Sequence, residues 1–144
     1  MATAGSTGAA RTPGQTFALV FGAVYLLVGI LGFFVATEFT GGQTDDKLIV
    51  FPVNHLHNIV HLAIGGLWVA AARRADTARQ ANLFIGVAYL GVALLGFLNP
   101  GDFMHTLLNI HSPGDADNWL HLASGALALY FGTAGDRAAT TART

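Results

Sequence analysis

The sequence contains no cysteine, and only 10% of its 144 residues are charged. Disulfides, thiolate metal ligands and a cysteine nucleophile are therefore excluded. Seven basic and eight acidic residues leave no basic patch for a phosphate backbone, so nucleic acid is not expected as a partner. No glycine-rich phosphate loop is visible, and Ser112 and Ser124 lack neighbours that would indicate a nucleophile. The sequence therefore favours a role other than catalysis.

Apolar sequence is abundant: hydrophobic residues make up 53% of the chain, and the mean hydropathy is +0.53. A helix that spans a bilayer needs about 20 residues, with a range of about 17–25. Four uncharged apolar segments approach this length, at about residues 17–36, 54–72, 82–98 and 118–133. The last two are short, and their flanks or a thinner bilayer would complete the span. The pattern predicts an all-α, integral membrane four-helix bundle.

Two other interpretations of these segments fit less well. A soluble bundle would show a polar face on each helix, but the stretch from Val20 to Phe34 has none. A cleaved signal sequence would have an apolar core of about 7–15 residues, shorter than the first segment.

We expect disordered cytoplasmic tails at residues 1–14 and 135–144, and a short interfacial helix after Asp102, capped by that residue.

The second half of the chain repeats the first. The motif Asn-x-x-His-Leu-Ala-x-Gly begins at Asn58 and again at Asn118, 60 residues later. The segment around Tyr25 recurs around Tyr89, 64 residues later, and these two hydroxyls are expected to bond to each other or to a backbone carbonyl. The repeat predicts two tandem helical hairpins, related by a pseudo-twofold axis along the membrane normal.

The charges predict the orientation. Lysine and arginine favour the cytoplasmic side. The connection between the second and third apolar segments carries Arg73, Arg74 and Arg79, and the two tails carry Arg11, Arg137 and Arg143. The acidic residues of the other two connections are Glu38, Asp45, Asp46, Asp102, Asp115 and Asp117. We therefore expect a multi-pass protein of the bacterial inner (plasma) membrane with both termini in the cytoplasm. Its partners would be the lipid bilayer and either further copies of itself or a larger membrane complex.

Aromatic residues near the segment ends agree with this orientation. Trp119 lies at an outer end, and Trp68 and Tyr130 lie near inner ends. Tryptophan and tyrosine are enriched at both membrane interfaces. All three are therefore predicted to lie in aromatic belts.

Six histidines stand out in so apolar a chain. His57 and His61 are four residues apart at the outer start of the second segment, so they share a helix face, and His121 has the matching depth in the fourth segment. A helix N-terminus and partial burial both favour neutral imidazole, which is the form that binds metal. The candidate metal ligands are His57, His61 and His121, with Asn58, Asn118 and Asp117 as groups that orient them. Asp117 is also the expected N-cap of the fourth helix.

The sequence leaves the ligand open. Converging histidines with a carboxylate suit zinc or copper, whereas a histidine pair between facing helices suits haem iron. Another interpretation needs no ligand, because the two Asn-x-x-His motifs would hydrogen-bond across the pseudo-twofold axis and hold the hairpins together. This structural or accessory role is the favoured interpretation, and a metal or haem site at the extracytoplasmic face is the alternative.

Two strings resemble a known family. They are Asn54-x-x-His57-Asn58-x-x-His61-Leu62, followed by a glycine-rich helix and an arginine-rich turn, and Asp117-Asn118-Trp119-Leu120-His121-Leu122. Over about residues 15–135, the chain resembles a family of small bacterial four-helix membrane proteins, the domain of unknown function family 4383. The resemblance implies a fold and a membrane location, but it implies no activity.

Overall fold

A computed structural model describes residues 10–99 and 102–133, and the chain in these ranges is mostly helical, as the apolar segments predict. The predicted tails, 1–14 and 135–144, lie outside the described residues except for 10–14. The elements in chain order are α1 Pro13–Gly32, β1 Lys47–Leu48, β2 Phe51–Pro52, α2 His55–Ala71, α3 Ala75–Leu98, α4 Phe103–Leu108 and α5 Ala116–Thr133. The two strands form a short antiparallel ladder in the loop between α1 and α2.

The start of α1 differs from the predicted one by four residues. Thr12 and Gln15 form a capping box, in which the Thr12 side chain accepts from Gln15 N at 3.2 Å and Gln15 Oε1 accepts from Thr12 N at 3.0 Å. Pro13 at the first helical position needs no N–H partner. Gln15 Nε2 also donates to Ala72 O at 3.0 Å, which fixes the start of α1 against the end of α2.

The start of α3 lies seven residues before the predicted one, because a polar turn extends the helix beyond its apolar part. The Thr77 hydroxyl donates to Ala71 O at 2.7 Å and so satisfies a carbonyl at the end of α2. The exposed pair between Arg74 and Asp76, at 3.1 Å, adds little stability. The connection between α2 and α3 is consequently very short.

Two of the helices are long and apolar enough to cross a membrane, judged by length and composition. They are α1, with 20 residues and a mean hydropathy of 1.9, and α3, with 24 residues and a mean hydropathy of 2.0. The helices α2 and α5 have 17 and 18 residues, and both carry histidine and asparagine at their N-terminal ends.

The helices pack as two hairpins, α1 with α2 and α3 with α5, as the repeat predicts. Glycine permits the closest approaches at equivalent places. A Cβ on Gly22 would lie 2.9 Å from Gly65 O, and a Cβ on Gly86 would lie 2.8 Å from Leu129 Cγ. Small residues at such interfaces let helix backbones approach each other closely.

Trp68 lies in the core and not at the membrane interface, so its predicted role as an interfacial anchor is wrong. It is fully buried, and its Nε1 donates to Asn82 Oδ1 at 2.9 Å. Asn82 Nδ2 donates in turn to Gly14 O at 3.2 Å, and the neighbouring rings of Phe17 and Phe131 stack at 4.8 Å. A buried indole needs such a partner for its N–H. By contrast, Trp119 and Tyr130 are exposed.

The long loops close over the opposite end of the bundle. Asn54, the N-cap of α2, donates from Nδ2 to Gly41 O at 3.0 Å and to Leu107 O at 3.1 Å. Asn109 Nδ2 donates to Val53 O at 3.0 Å. The short helix after Asp102 is α4, but the Asp102 side chain makes no capping bond, so that predicted bond is wrong. The loops thus form a layer above the N-terminal ends of α2 and α5.

Candidate functional site

Beneath the loop layer, three histidines converge on one point. His57 and His61 come from α2 and His121 comes from α5, and all three are buried. One ring nitrogen from each residue lies within 4.8 Å of those of the other two. The ring centroids of His57 are 4.4 Å from His61 and 5.9 Å from His121. The predicted candidate ligands therefore lie together, and we call them the His tripod.

A backbone carbonyl fixes the ring of His57. Its Nδ1 lies 2.9 Å from Leu108 O at the end of α4. Because a carbonyl oxygen only accepts, Nδ1 must carry the proton, which leaves the lone pair on Nε2. This Nε2 is buried and has no hydrogen-bond partner among the described residues. The ring is thus held in the tautomer that can bind a cation through Nε2.

His61 and His121 occupy equivalent positions in the two hairpins. Each ring packs against a tyrosine of its own hairpin, His61 on Tyr25 and His121 on Tyr89, with ring centroids 5.1 Å apart in both cases. The Nδ1 atoms of both histidines are buried, and the described part of the chain offers neither of them a hydrogen bond. The tyrosines therefore form the floor of the tripod.

The tyrosine floor also joins the two hairpins. The rings of Tyr25 and Tyr89 meet edge to face at 5.5 Å. The Tyr25 hydroxyl donates to Ser124 Oγ on α5 at 3.1 Å, a buried bond between the hairpins. No local pattern in the sequence marks Ser124 as the partner of Tyr25, which lies 99 positions earlier.

A small cavity lies beside the tripod. It has a volume of about 40 Å³ and is lined by the tripod, Tyr89, Leu108 and apolar residues of α2 and α3. A single water needs about 10–15 Å³ of such volume, whereas pockets for larger ligands measure about 300–1,000 Å³. The space therefore suits an ion with one or two waters.

The asparagines of the repeated motif contact glycines inside their own hairpins. A Cβ on Gly32 would overlap the amide of Asn58, and a Cβ on Gly96 would overlap the amide of Asn118. Asn118 Nδ2 donates to Ser112 O at 3.0 Å and to Pro113 O at 3.1 Å. In the described ranges, no hydrogen bond joins either asparagine to a histidine of the other hairpin.

Asp117 is not the N-cap of α5, so that prediction is wrong. The helix begins at Ala116, which places Asp117 inside its first turn. Its side chain is only 1% exposed, and neither carboxylate oxygen has a hydrogen-bond partner in the part of the chain that the structure describes. Asp115 orders the preceding loop instead, because its Oδ2 accepts from His111 N at 2.7 Å and from Ser112 N at 3.2 Å.

The other three histidines lie outside the tripod. The rings of His105 and His111 are 4.3 Å apart in the loop layer, and His55 stacks on Phe33 at 5.3 Å. Partial burial lowers the pKa of His111. In the same layer, hydrogen bonds from the hydroxyl and backbone N–H of Thr37, at 2.6 and 3.2 Å, lower the pKa of Asp46.

Together these features define a helical chain with two helices apolar enough to cross a membrane and a buried triad of histidines under a loop layer. The chain belongs to the family described as Domain of unknown function (DUF4383), which matches residues 15–134. The resemblance drawn from the Asn-x-x-His strings is thereby confirmed. Neither curated proteins nor solved structures gave a match.

Proposed function

We propose that this protein is a four-helix membrane protein that holds a divalent transition-metal ion, such as Zn²⁺, between His57, His61 and His121. The observation that carries the proposal is the convergence of three buried ring nitrogens within 4.8 Å. Neutral imidazole is a good ligand for such ions, and three histidines with one further position form a common coordination set.

The distances support an ion more than a larger cofactor. Tetrahedral zinc with Zn–N bonds of about 2.0–2.1 Å separates its nitrogen ligands by about 3.3 Å. The nitrogens of the tripod would therefore have to approach by about 1.5 Å at most, which small rotations of the histidine side chains can supply. A haem would need far more space than the cavity of about 40 Å³ offers.

The energetic argument concerns buried polar atoms. His57 Nε2, His61 Nδ1 and His121 Nδ1 are all buried without a partner among the described residues. Leaving a buried donor or acceptor unsatisfied costs about 1–3 kcal/mol for each group. An ion in the tripod would bind one nitrogen of each ring and would so satisfy the lone pair of His57 Nε2. Interhelical hydrogen bonding by the Asn-x-x-His motif would leave these atoms unexplained, because the asparagines contact their own hairpins.

Exposed apolar side chains support the membrane part of the proposal. Large hydrophobic residues project outward from all four long helices: Val20, Val24, Leu27, Ile30, Leu67, Phe84, Val87, Leu94, Leu98, Leu127 and Tyr130. Such a belt is unusual on a soluble monomer and suits lipid.

The arrangement of charges supports an extracytoplasmic site. Arg11 and Arg73 line one cleft at the end of the bundle where α1 begins. The tripod lies towards the opposite end, under the acidic loops. By the preference of arginine for the cytoplasmic side, the ion would be held near the outer face of the inner membrane, with both termini in the cytoplasm.

Metal titration of the purified protein in mild detergent tests the proposal. We expect about one equivalent of Zn²⁺ or Co²⁺ to bind. His61→Gln and His121→Gln should each weaken metal binding at least about 10–100-fold. Substitution of a group that only orients a ligand already causes a loss of that size, so loss of a ligand should cost at least as much. The matched control is His55→Gln, which removes a histidine that lies outside the tripod and outside α4, and this variant should bind metal as the wild type does. A folded wild-type protein that binds neither ion would refute the proposal.

A further inference from the structure

The internal repeat is broken at one chemically important position. The repeated motif places His61 opposite His121, with an offset of 60 residues. By the same offset, the equivalent of His57 is Asp117. Each of these two residues lies four positions before the histidine of its own helix and therefore shares a face with it. The two hairpins thus offer a His–His pair and an Asp–His pair around one axis.

Asp117 is buried in a way that calls for a cation. Its side chain is 1% exposed, and both of its oxygens lack a hydrogen-bond partner in residues 10–99 and 102–133. It lies in the first turn of α5, one helical turn before His121 and on the same face, so the buried carboxylate is on the side of the helix that carries the tripod histidine. A buried carboxylate is very unfavourable in its charged form unless it is paired or coordinates a metal, and without either it takes up a proton.

The other acidic groups of the loop layer are either exposed, as Glu38, Asp45 and Asp102 are, or have partners of their own. Asp115 accepts from His111 N and Ser112 N, and Asp46 accepts from Thr37. In the described ranges these carboxylates are engaged in holding loops. Asp117 is the buried carboxylate without such a partner, and its oxygens lie outside the group of ring nitrogens that are within 4.8 Å of one another, so the side chain would have to turn towards the ion to bind it.

We infer that Asp117 is the fourth ligand of the proposed metal site, so that the ion binds to three imidazoles and one carboxylate. The inference rests on the proposed function. A hard, charged oxygen ligand favours divalent zinc, cobalt or manganese over Cu(I), which prefers soft sulfur ligands. The carboxylate also gives the site one negative charge, which partly neutralises the ion in its buried surroundings.

Substitutions at Asp117 test the inference on the full-length protein in detergent. Asp117→Asn removes the charge with almost no change of shape, and we expect Zn²⁺ binding to weaken at least about 10–100-fold. Asp117→His makes the two hairpins alike at this position. We expect it to retain zinc, and X-ray absorption should then count four imidazoles around the ion, against three in the wild type. The control is Asp102→Asn, which makes the same change at an exposed loop position and should leave affinity unchanged.

The outcomes separate the two proposals. If His61→Gln abolishes binding while Asp117→Asn has wild-type affinity, the tripod stands and the fourth-ligand inference is refuted. Three imidazoles in both the wild type and Asp117→His would refute it as well, even if Asp117→Asn failed to fold. If the folded wild type takes up no Zn²⁺ or Co²⁺, both proposals fail together.

Discussion

The Nδ1 of His57 and the carbonyl oxygen of Leu108 lie 2.9 Å apart and join the first helix of the site to the loop above it. Leu108 ends α4, and Met104 of the same short helix is almost fully buried beneath the loop layer. The position of α4 therefore determines which nitrogen of His57 faces the tripod. Loops often carry function in this way on a rigid helical frame.

We expect Met104→Ala to weaken metal binding without touching a ligand. Loss of the buried side chain should cost about 2–5 kcal/mol and loosen α4, so that His57 is held less firmly. Zinc affinity should fall about tenfold, while Phe103→Ala, at an exposed position of α4, should change it little. Titration and thermal unfolding of both variants in detergent would check this, and equal affinities would count against the role of α4.

Substitution of Gly32 or Gly96 by alanine should destabilise the protein. The new Cβ would overlap the amide of Asn58 or Asn118, and neither amide can move easily in its buried site. Overpacking of this kind costs about 1–3 kcal/mol. Gly66→Ala and Gly91→Ala are matched controls, because nothing lies within 4 Å of a Cβ there, and they should stabilise their helices by about 0.5–1 kcal/mol. Thermal unfolding would show whether the two pairs shift in opposite directions.

Loss of the Asn82 side chain should destabilise the core around Trp68. Asn82→Ala leaves the buried Trp68 indole N–H without its described partner and removes the hydrogen bond that Asn82 donates to Gly14 O. An unsatisfied buried group costs about 1–3 kcal/mol, so the melting temperature should fall clearly. Gln80→Ala, at an exposed position two residues away, serves as the control. Similar melting temperatures for the two variants would contradict the importance of this network.

The stability of the loop layer should depend on pH through Asp46. Hydrogen bonds from Thr37 lower its pKa below the ordinary value of 3.8, so the folded state favours the ionised form. This contribution is present above pH 3.8 and is lost as the pH falls through the lowered pKa. We expect Thr37→Val to be less stable than the wild type at pH 6, and the difference to shrink as the pH falls below 3.8. Unfolding measured between pH 3 and pH 7 would check this, and a constant difference would exclude Asp46 as the cause.

Local sequence patterns and the internal repeat are sufficient to predict much of the fold. The Asn-x-x-His repeat predicted the equivalence of His61 and His121, and the four-residue spacing predicted that His57 would join them. The start of α1 was also present in the sequence as the capping box of Thr12 and Gln15, but the apolar pattern alone hides it because the first turn is polar.

Other features depend on contacts between distant parts of the chain. The burial of Trp68 follows from the meeting of four helices around it, which no local spacing reveals. The carbonyl of Leu108 reaches His57 only because the two loops close over the same end. The inward position of Asp117 follows from a helix start only two residues earlier than a cap would require.

The origin of the three histidines has a consequence for how the halves of the chain depend on each other. Two rings belong to the first hairpin and one to the second, so neither hairpin alone has the complete set. In the membrane protein proposed above, an ion in the tripod would act as a clasp that closes only after both hairpins have inserted and met. Metal uptake would then report the final step of assembly, and a chain truncated after the first hairpin would enter the membrane without the means to retain the ion.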